Sequence, residues 1–357
     1  MVTSAVEWIA GLDPWPKDGF GLGRMRLLLD ALGNPQDSYP AVHVVGTNGK
    51  STATRTVEEL LLAEGLSVGA TISPHVRSWG ERIRVDGEEA DFDAAIERVR
   101  AEATSLGATQ FETVTAAALA AFADSDVDAA VVEAGLGGRY DATNVLRTRV
   151  VLLTNVGLDH TEVLGETTDE IAKEKLAVAH GDSLVVLPDN RYAWLVTGHQ
   201  VVLGGAREAA EAFLGRAIAA EVEVLLPGRL ERREGEIRDG AHNPDGVRWL
   251  VRRLAPVDYS ICASILVDKN AEDMLRELAV AGTRFVATSS SSPRALPADQ
   301  LAARARPFFA HVEVVDDPVR ALERAHELGE PVLVTGSLYL LADLARGEIG
   351  RQATWPG

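Results

Sequence analysis

Residues 41–52 read Ala-Val-His-Val-Val-Gly-Thr-Asn-Gly-Lys-Ser-Thr, an apolar run that ends in a glycine turn and passes into a lysine and two hydroxyls. The next segment, 54–64, is compatible with a helix. A strand, a glycine-bearing loop and a helix in that order constrain the fold more than any other feature of the chain. Amides of the loop (Gly46, Thr47, Asn48, Gly49) and of a helix N-terminus can cradle phosphate oxygens. Lys50 can reach the terminal phosphates, and a hydroxyl of Ser51 or Thr52 can face a divalent cation. A strict Walker A loop would place glycine where Val44 stands, so an ordinary strand-to-helix turn is the competing reading.

The rest of the chain repeats the alternation. Short β-branched runs at 41–45, 68–72, 127–133, 150–155 and 183–187 are separated by helix-like segments such as 113–123 and 168–179. Continuous apolar strands alternating with helices predict a parallel α/β sheet. After Pro227-Gly228 the pattern restarts, with strand-like 260–267, 284–287, 311–315 and 331–335 between helix-like 244–254, 271–281, 297–305 and 318–328. We therefore expect an α/β protein of two domains. A P-loop-type, mostly parallel sheet domain covers 1–205, a linker or hinge with an alanine-rich helix at 207–220 covers 206–227, and a smaller Rossmann-like α/β domain covers 228–357. Ligands of such sheets bind at the C-terminal strand ends, where Gly46, Ser73, Glu133 and Asp159 all follow strand-like runs.

Composition removes several classes. A net charge of −18 argues against a nucleic-acid partner, which needs a basic face. No apolar run approaches the ~20 residues of a membrane helix. Residues 1–12 lack a basic flank and contain Glu7, unlike a secretion signal. The lone Cys262, in the apolar run 261–267, excludes an intramolecular disulfide and reads as a core residue. The expectation is a cytoplasmic protein.

Four further segments carry candidate chemistry. In Thr71-Ile-Ser-Pro-His75, Ser73 offers a hydroxyl to a metal and His75 could orient a ligand, although Ser-Pro also simply starts turns. In Glu133-Ala-Gly-Leu-Gly-Gly-Arg-Tyr-Asp-Ala-Thr-Asn144, a carboxylate closes a strand and three glycines follow, which suits a metal ligand beside a closely approached substrate. A glycine turn with a solvated Glu is the alternative. His160, after the strand at 150–155, could ligate a metal or contact phosphate, and Lys175 follows on a helix whose exposed face is its ordinary place. Arg229, Asp239 and His242 open the second domain near its junction, where nucleotides often lie, but an Asp-Gly pair also fits a plain turn.

Taken together, these residues resemble the folylpolyglutamate synthase/dihydrofolate synthase family within the Mur-type ATP-dependent amide ligases. The marks run from Gly21-Leu-Gly-Arg-Met-Arg26 through Gly46-Thr-Asn-Gly-Lys50, Ser73-Pro-His75, Phe111-Glu-Thr113, Glu133-Ala-Gly-Leu-Gly-Gly-Arg139, Asp141-Ala-Thr-Asn144, Asp159-His-Thr161, Glu174-Lys175, Pro227-Gly-Arg-Leu-Glu231 and Asp239-Gly-Ala-His-Asn-Pro244 to Gly336-Ser-Leu-Tyr339. Their number and order make the resemblance specific. It implies ATP-dependent joining of L-glutamate to dihydropteroate or a reduced folate, hence folate biosynthesis and one-carbon metabolism, through an acyl phosphate. It implies that Gly46 to Thr52, Arg229, Asp239, His242 and Asn243 contact ATP. Ser73, Glu133, His160 and Lys175 would ligate Mg²⁺, in two ions, with Lys175 carbamylated by CO₂. Lys50, Lys175, His160 and His242 would carry the catalysis. Lys17, Asp18, Gly19, Phe20, Thr109, Gln110, Phe111, Glu112, Tyr140, Asp141 and Ala142 would hold the pterin. A monomer would suffice, with the second domain closing over the acyl phosphate to exclude water.

Three departures from the family pattern stand out. Ser51 replaces the usual glycine after the phosphate-loop lysine, as in the murein branch. Glu-Ala-Gly replaces Glu-Val-Gly at 133–135. Between Asp189 and Gly215 the family carries a further β-rich segment with an Asn that contacts ATP, and this chain has no counterpart. A ligase for a non-folate acid and a degenerate nucleotide-binding paralogue are the competing readings.

Overall fold

The computed structural model describes residues 4–17 and 19–352, so Asp18 lies outside the described residues. The chain divides into two units, Met1–Val224 and Leu225–Gly357.

Unit 1 holds strands β1 (Ala41–Val45), β2 (Val68–Thr71), β3 (Arg84–Val85), β4 (Glu88–Glu89), β5 (Ala129–Glu133), β6 (Thr148–Leu153), β7 (Leu184–Leu187) and β8 (Val201–Leu203). They form an eight-stranded sheet in the order β4-β3-β2-β5-β1-β6-β7-β8. From β2 to β8 all pairings are parallel, and β3 and β4 add an antiparallel edge. Strand β1 lies between β5 and β6, with Val44 opposite both Glu133 and Leu152. Its residues are buried on both faces, which explains why apolar and exposed polar residues do not alternate; its one polar member, His43, is itself buried and bonds Thr143 Oγ1 at 2.8 Å.

The helices are α1 (Ala5–Ala10), α2 (Gly23–Ala31), α3 (Lys50–Ala63), α4 (Phe92–Glu97), α5 (Arg100–Leu106), α6 (Gln110–Asp124), α7 (Thr161–Leu164), α8 (Thr168–Leu176) and α9 (Ala206–Leu214). Alternate strand residues feed separate cores. Ala41, Ala130 and Val132 pack with α1, α2, α4 and α6; Val42, Val44, Val131 and Leu152 pack with α3 and α9; Val45, Val151 and Leu153 pack with α8.

Helix α9 corrects the expected hinge. It stops at Leu214, where Gly215 takes the left-handed region at φ 72°, rather than continuing to 220. Ala209, Ala210 and Phe213 are buried in the same cluster as Val57 and Leu60 of α3. Arg207 donates to the carbonyls of Ile218 and Ala220 at 2.9 and 2.8 Å. Most of 206–227 is thus packed into unit 1, because an alanine-rich face with one phenylalanine buries well against α3.

Unit 2 holds β9 (Glu231–Arg233), β10 (Glu236–Arg238), β11 (Ser260–Ala263), β12 (Arg284–Ala287), β13 (His311–Val314) and β14 (Val332–Thr335), ordered β13-β12-β11-β14-β10-β9. Only β9 is antiparallel within this sheet. Helices α10 (Pro244–Val251), α11 (Ala271–Leu278), α12 (Ala298–Ala305), α13 (Pro318–Leu328) and α14 (Leu338–Gln352) accompany it. The core joins Ile261, Phe285 and Leu333 to Val247, Leu250, Met274, Leu278 and Leu301. Cys262 is free and buried, and burial pushes its thiol up to about 12. Strand β11 stops at Ala263, short of the expected 267, because Leu266 leaves the sheet to bridge Ala295.

Gly69 of β2 lies under the buried Phe122 ring, where an added Cβ would stand 2.4 Å from ring carbons. Gly69→Ala is expected to destabilise unit 1 by about 1–3 kcal/mol. A lower urea midpoint at unchanged slope would show it; an unchanged midpoint would mean the ring relaxes without cost.

Candidate active site

The phosphate loop begins where β1 ends. Gly46 has φ 153°, and an added Cβ would lie 1.9 Å from Thr154 Oγ1, so a side chain has no room there. The loop is laced to the segment after β6. The Thr154 hydroxyl donates to the Asn48 carbonyl at 2.7 Å, Asn155 Oδ1 accepts from the Asn48 amide at 2.9 Å, and the Thr47 amide donates to the Asn155 carbonyl at 3.1 Å. The Gly157 amide donates to Thr47 Oγ1 at 3.0 Å. Gly49 is left-handed at φ 78° and starts α3 without a capping side chain. The first-turn amides of α3 thus have no side-chain acceptor, the condition under which a helix N-terminus attracts an anion.

Around this loop the strand ends converge. Glu133 closes β5 with its side chain 2% exposed. Its Oε2 accepts from the Ser73 amide at 3.0 Å, and its Oε1 lies 4.0 Å from Lys50 Nζ. Lys175, in the last turn of α8, is buried and donates from Nζ to the Gly46 carbonyl at 2.9 Å. Burial, then the positive charge of Lys50, lowers its pKa to about 7; Asp159, Asp141 and Glu174 act against this. His160 is left-handed at φ 51°, starts α7, and lies beside Asp159, whose charge acts on Lys175.

The glycines after Glu133 act differently from the sequence expectation. They admit protein rather than leaving space for a ligand. A Cβ on Gly138 would meet the carbonyls of Lys175 and Glu174 at 2.5 and 2.8 Å, and one on Gly135 would meet the Phe111 ring at 2.6 Å. The loop therefore lies directly against the end of α8 and beneath Phe111, which brings Lys175 to the phosphate loop.

The residues expected around the pterin divide into two groups. Phe111 packs over the Glu133 loop, Gln110 ties the first turn of α6 to Asp13 and Ile9, and Ala142 is buried in the core. Thr109 and Glu112 form a capping box, with Arg24 3.5 Å from Glu112. Asp141 is buried and accepts from the amides of Leu136 and Thr143 at 2.7 and 3.0 Å and from the Thr143 hydroxyl at 2.5 Å. Burial raises its pKa against these bonds. Both carboxylates thus organise their own loops. Tyr140, Gly19 and Phe20 are exposed, Phe20 forms an edge-on pair with Trp15, and exposed Lys17 pairs with Asp13 at 2.7 Å.

Within unit 2, Asp239 accepts from the Ala241 amide, closing the turn after β10, and from the Leu230 amide, which ties in the segment before β9. Burial raises its pKa, with Arg229 among the opposing charges. The His242 Nδ1–H donates to the Gly240 carbonyl at 2.9 Å, and Asn243 caps α10. Asp239, His242 and Asn243 thus share the turn after β10, and Arg229, before β9, lies beside it.

Sequence reasoning missed three contributors. Thr154 braces the phosphate loop, and only its place after an apolar run signals that. Glu81 accepts from three successive amides, and the Ser-x-x-Glu pattern at 78–81 is its signal. In unit 2, the topological switch between β11 and β14 carries Ser264, Ser290, Thr335 and Ser337, all buried, with the Ser290 and Thr335 hydroxyls lacking a partner. Scattered serines and threonines have no sequence period that would reveal such a cluster.

The family follows from comparison. Residues 44–211 match the Mur ligase middle domain, and 228–338 match the Mur ligase, glutamate ligase domain. The chain is an enzyme of the ligase class, built from two Mur ligase domains. It belongs to the dihydrofolate synthase/folylpolyglutamate synthase family: it is 32% identical to the Mycobacterium tuberculosis protein of that name, over 88% of this chain and 82% of that one. That alignment spans 406 positions, whereas 88% of the 357 residues is about 314, so about 90 positions fall opposite gaps in this chain. Among solved structures, Escherichia coli FolC in complex with DHPP and ADP superposes at TM-score 0.86 and 25% identity, covering 98% and 99% of the two chains. The Yersinia pestis bifunctional enzyme complexed with AMPPNP and Mn ion gives 0.83 at 26% identity, covering 98% of each.

The setting of Lys175 makes its reactivity measurable. Labelling with an amine-directed reagent, read by peptide mass spectrometry, is expected to reach half its maximum near pH 7 at Lys175, well below exposed lysines near their usual ~10.4. Half-labelling above pH 9 would show that the burial of Lys175 does not depress its pKa.

Proposed function

We propose that this chain uses ATP to join the amine of L-glutamate to the carboxylate of dihydropteroate or a reduced folate. The observation that carries the reading is the convergence of Lys50, Glu133, Ser73 and a buried lysine with a pKa of about 7 on one phosphate loop. An acid carboxylate and a triphosphate repel, so their reaction needs cations in place beforehand. Lys50 and the uncapped start of α3 receive the phosphates, and the acid oxygen attacks the γ-phosphorus as ADP departs. The glutamate amine then attacks the acyl carbon of the acyl phosphate, phosphate leaves, and the amine loses a proton.

Lys175 suits carbamylation on physical grounds. At a pKa of about 7, much of the amine is neutral near neutral pH and can add to CO₂, releasing one proton. The product replaces a cation beside Lys50 with an anion and so turns the Lys50 repulsion, the second cause of the low pKa after burial, into attraction. Among the described residues no three His, Cys, Asp or Glu side chains gather as a metal site. The donor set instead combines the Ser73 hydroxyl, the Glu133 carboxylate, the His160 imidazole and a carbamate on Lys175, mostly the hard oxygens Mg²⁺ prefers. These residues would hold two Mg²⁺ ions, Ser73 and Glu133 one and His160 and Lys175 the other; bound, the ions neutralise charge developing on the transferring phosphoryl group.

For the acceptor acid, Phe111 and exposed Tyr140 and Phe20 offer aromatic surface suited to a pterin, alongside Lys17, Gly19 and the start of α6. In unit 2, Arg229, Asp239, His242 and Asn243 are assigned to ATP. The hydroxyl cluster at the β11–β14 switch is assigned to the amino acid, whose carboxylates suit partnerless hydroxyl donors. A second reading, a different acid acceptor, draws on the internally bonded Asp141 and Glu112 and on the shorter chain.

Phosphate release from purified protein with MgATP and L-glutamate separates these readings. Release with dihydropteroate alone marks a dihydrofolate synthase, release also with a reduced folate marks both activities, and acceptor-independent behaviour favours another acid. Lys175→Ala is expected to lose ligation and regain part of it with a short carboxylic acid. Full activity of that variant without the acid would overturn the carbamate assignment.

A further inference from the structure

The loop that carries Ser73 is fastened to the phosphate-loop helix through a buried arginine. Arg55 lies in the second turn of α3, five residues after Lys50, with its side chain 5% exposed. Its Nη1 donates to Glu58 Oε2 and its Nη2 to the Glu81 carbonyl, both at 2.7 Å. Glu81 in turn gathers the loop, its carboxylate accepting from the amides of Val76, Arg77 and Ser78 at 3.1, 2.5 and 2.9 Å. The neighbouring Arg82 donates from Nε to His75 Nδ1 at 2.9 Å and lies 4.5 Å over the Trp79 ring. At the loop's start, the Ser73 amide reaches Glu133. One chain of bonds therefore runs from α3 through Arg55 and Glu81 to the segment that places Ser73.

Two features argue that Arg55 is there for position rather than stability. A buried ion pair is often no more stabilising than well-packed apolar residues of its volume. Arg55 also leaves its Nε buried without a partner, a cost that only its two anchored ends explain. Its charge further interacts with Glu133, so the same guanidinium bears on Ser73 and Glu133, the two donors proposed for one of the cations.

We propose that Arg55 is a positioning residue for divalent-cation binding: by holding the Glu81 carbonyl it sets Ser73 and Glu133 against the nucleotide phosphates received at Lys50. The inference rests on the assignment of Ser73 and Glu133 as cation donors under the proposed function. Losing Arg55 should then weaken the cation-dependent part of nucleotide binding and spare the cation-independent part. Glu58 keeps Arg84 at 3.0 Å as a partner, so Arg55→Met need not leave it alone.

The test is calorimetric titration of ADP, with EDTA and with Mn²⁺, on the parent, Arg55→Met and Arg55→Lys. Trp79 fluorescence, read against Trp79→Phe, reports the loop. We expect Arg55→Met to keep ADP affinity in EDTA within about twofold and to lose about tenfold of the affinity gained with Mn²⁺, the scale typical of groups that orient metal ligands. Arg55→Lys, with the charge but not the fork, should recover little of that gain. An unchanged Mn²⁺-dependent gain in Arg55→Met would overturn the proposal, and so would equal losses in EDTA and Mn²⁺, the mark of a merely weakened phosphate loop. If Arg55→Met does not fold, Arg55→Met/Glu58→Gln removes both buried charges and is judged by the same two outcomes. A parent with no Mn²⁺-dependent gain would instead overturn the functional reading itself.

Discussion

An amine buried against the back of the phosphate loop governs the geometry of unit 1. Lys175 Nζ bonds the Gly46 carbonyl, and that contact exists only because α8 approaches the Glu133 loop to within backbone contact at Gly138. Burying an ammonium is costly, and here the cost appears as a pKa near 7 rather than as a disordered side chain. The neighbouring charges fit that picture. Lys50 opposes the ammonium, while Asp159, Asp141 and Glu174 support it.

A second theme is what the acidic residues accept from. Glu81, Glu112, Asp141 and Asp239 each accept from backbone amides and thereby shape the loop they stand in. Glu133 also accepts one amide, yet faces Lys50 across 4.0 Å and closes a central strand. The first four each shape a loop within their own unit, whereas Glu133 faces the lysine at the start of α3. This division explains how a strongly acidic chain can still receive a polyanion: local amides and lysines, not net charge, set the potential at the loop.

How much was legible in the sequence depended on the range of the interaction. Strand β1 and helix α13 were readable to the residue, because continuous β-branched burial and a Pro-started, periodic helix are local signals. The strand–loop–helix passage from β1 into α3 was readable for the same reason. The β3–β4 edge, β8 and the short helices α4 and α5 were not singled out, since segments of two to seven residues carry too little period to register. Helix α9 was visible as a helix but assigned to a hinge, because alanine content reveals propensity and not what the face packs upon. Lys175 shows the limit most clearly: its composition suggests an exposed helix face, and only the tertiary approach of α8 buries it. Arg55 and Glu58 sit three apart on one side of α3 and are buried as Val57 and Leu61 are on another, so the helix is enclosed on more than one face, which its charged residues conceal in the sequence.

The contrast between Gly138 and Tyr140 separates what this loop can vary from what it cannot. At Gly138 a single methyl group would collide with the carbonyls of α8, so sequence drift is closed there. Two residues on, Tyr140 stands in solvent and touches none of that packing constraint. One short loop thus joins a sterically closed chassis to an open rim. If the acceptor acid is received at that rim, as proposed, substitutions there would change which acid is taken and leave the backbone packing at Gly138 untouched.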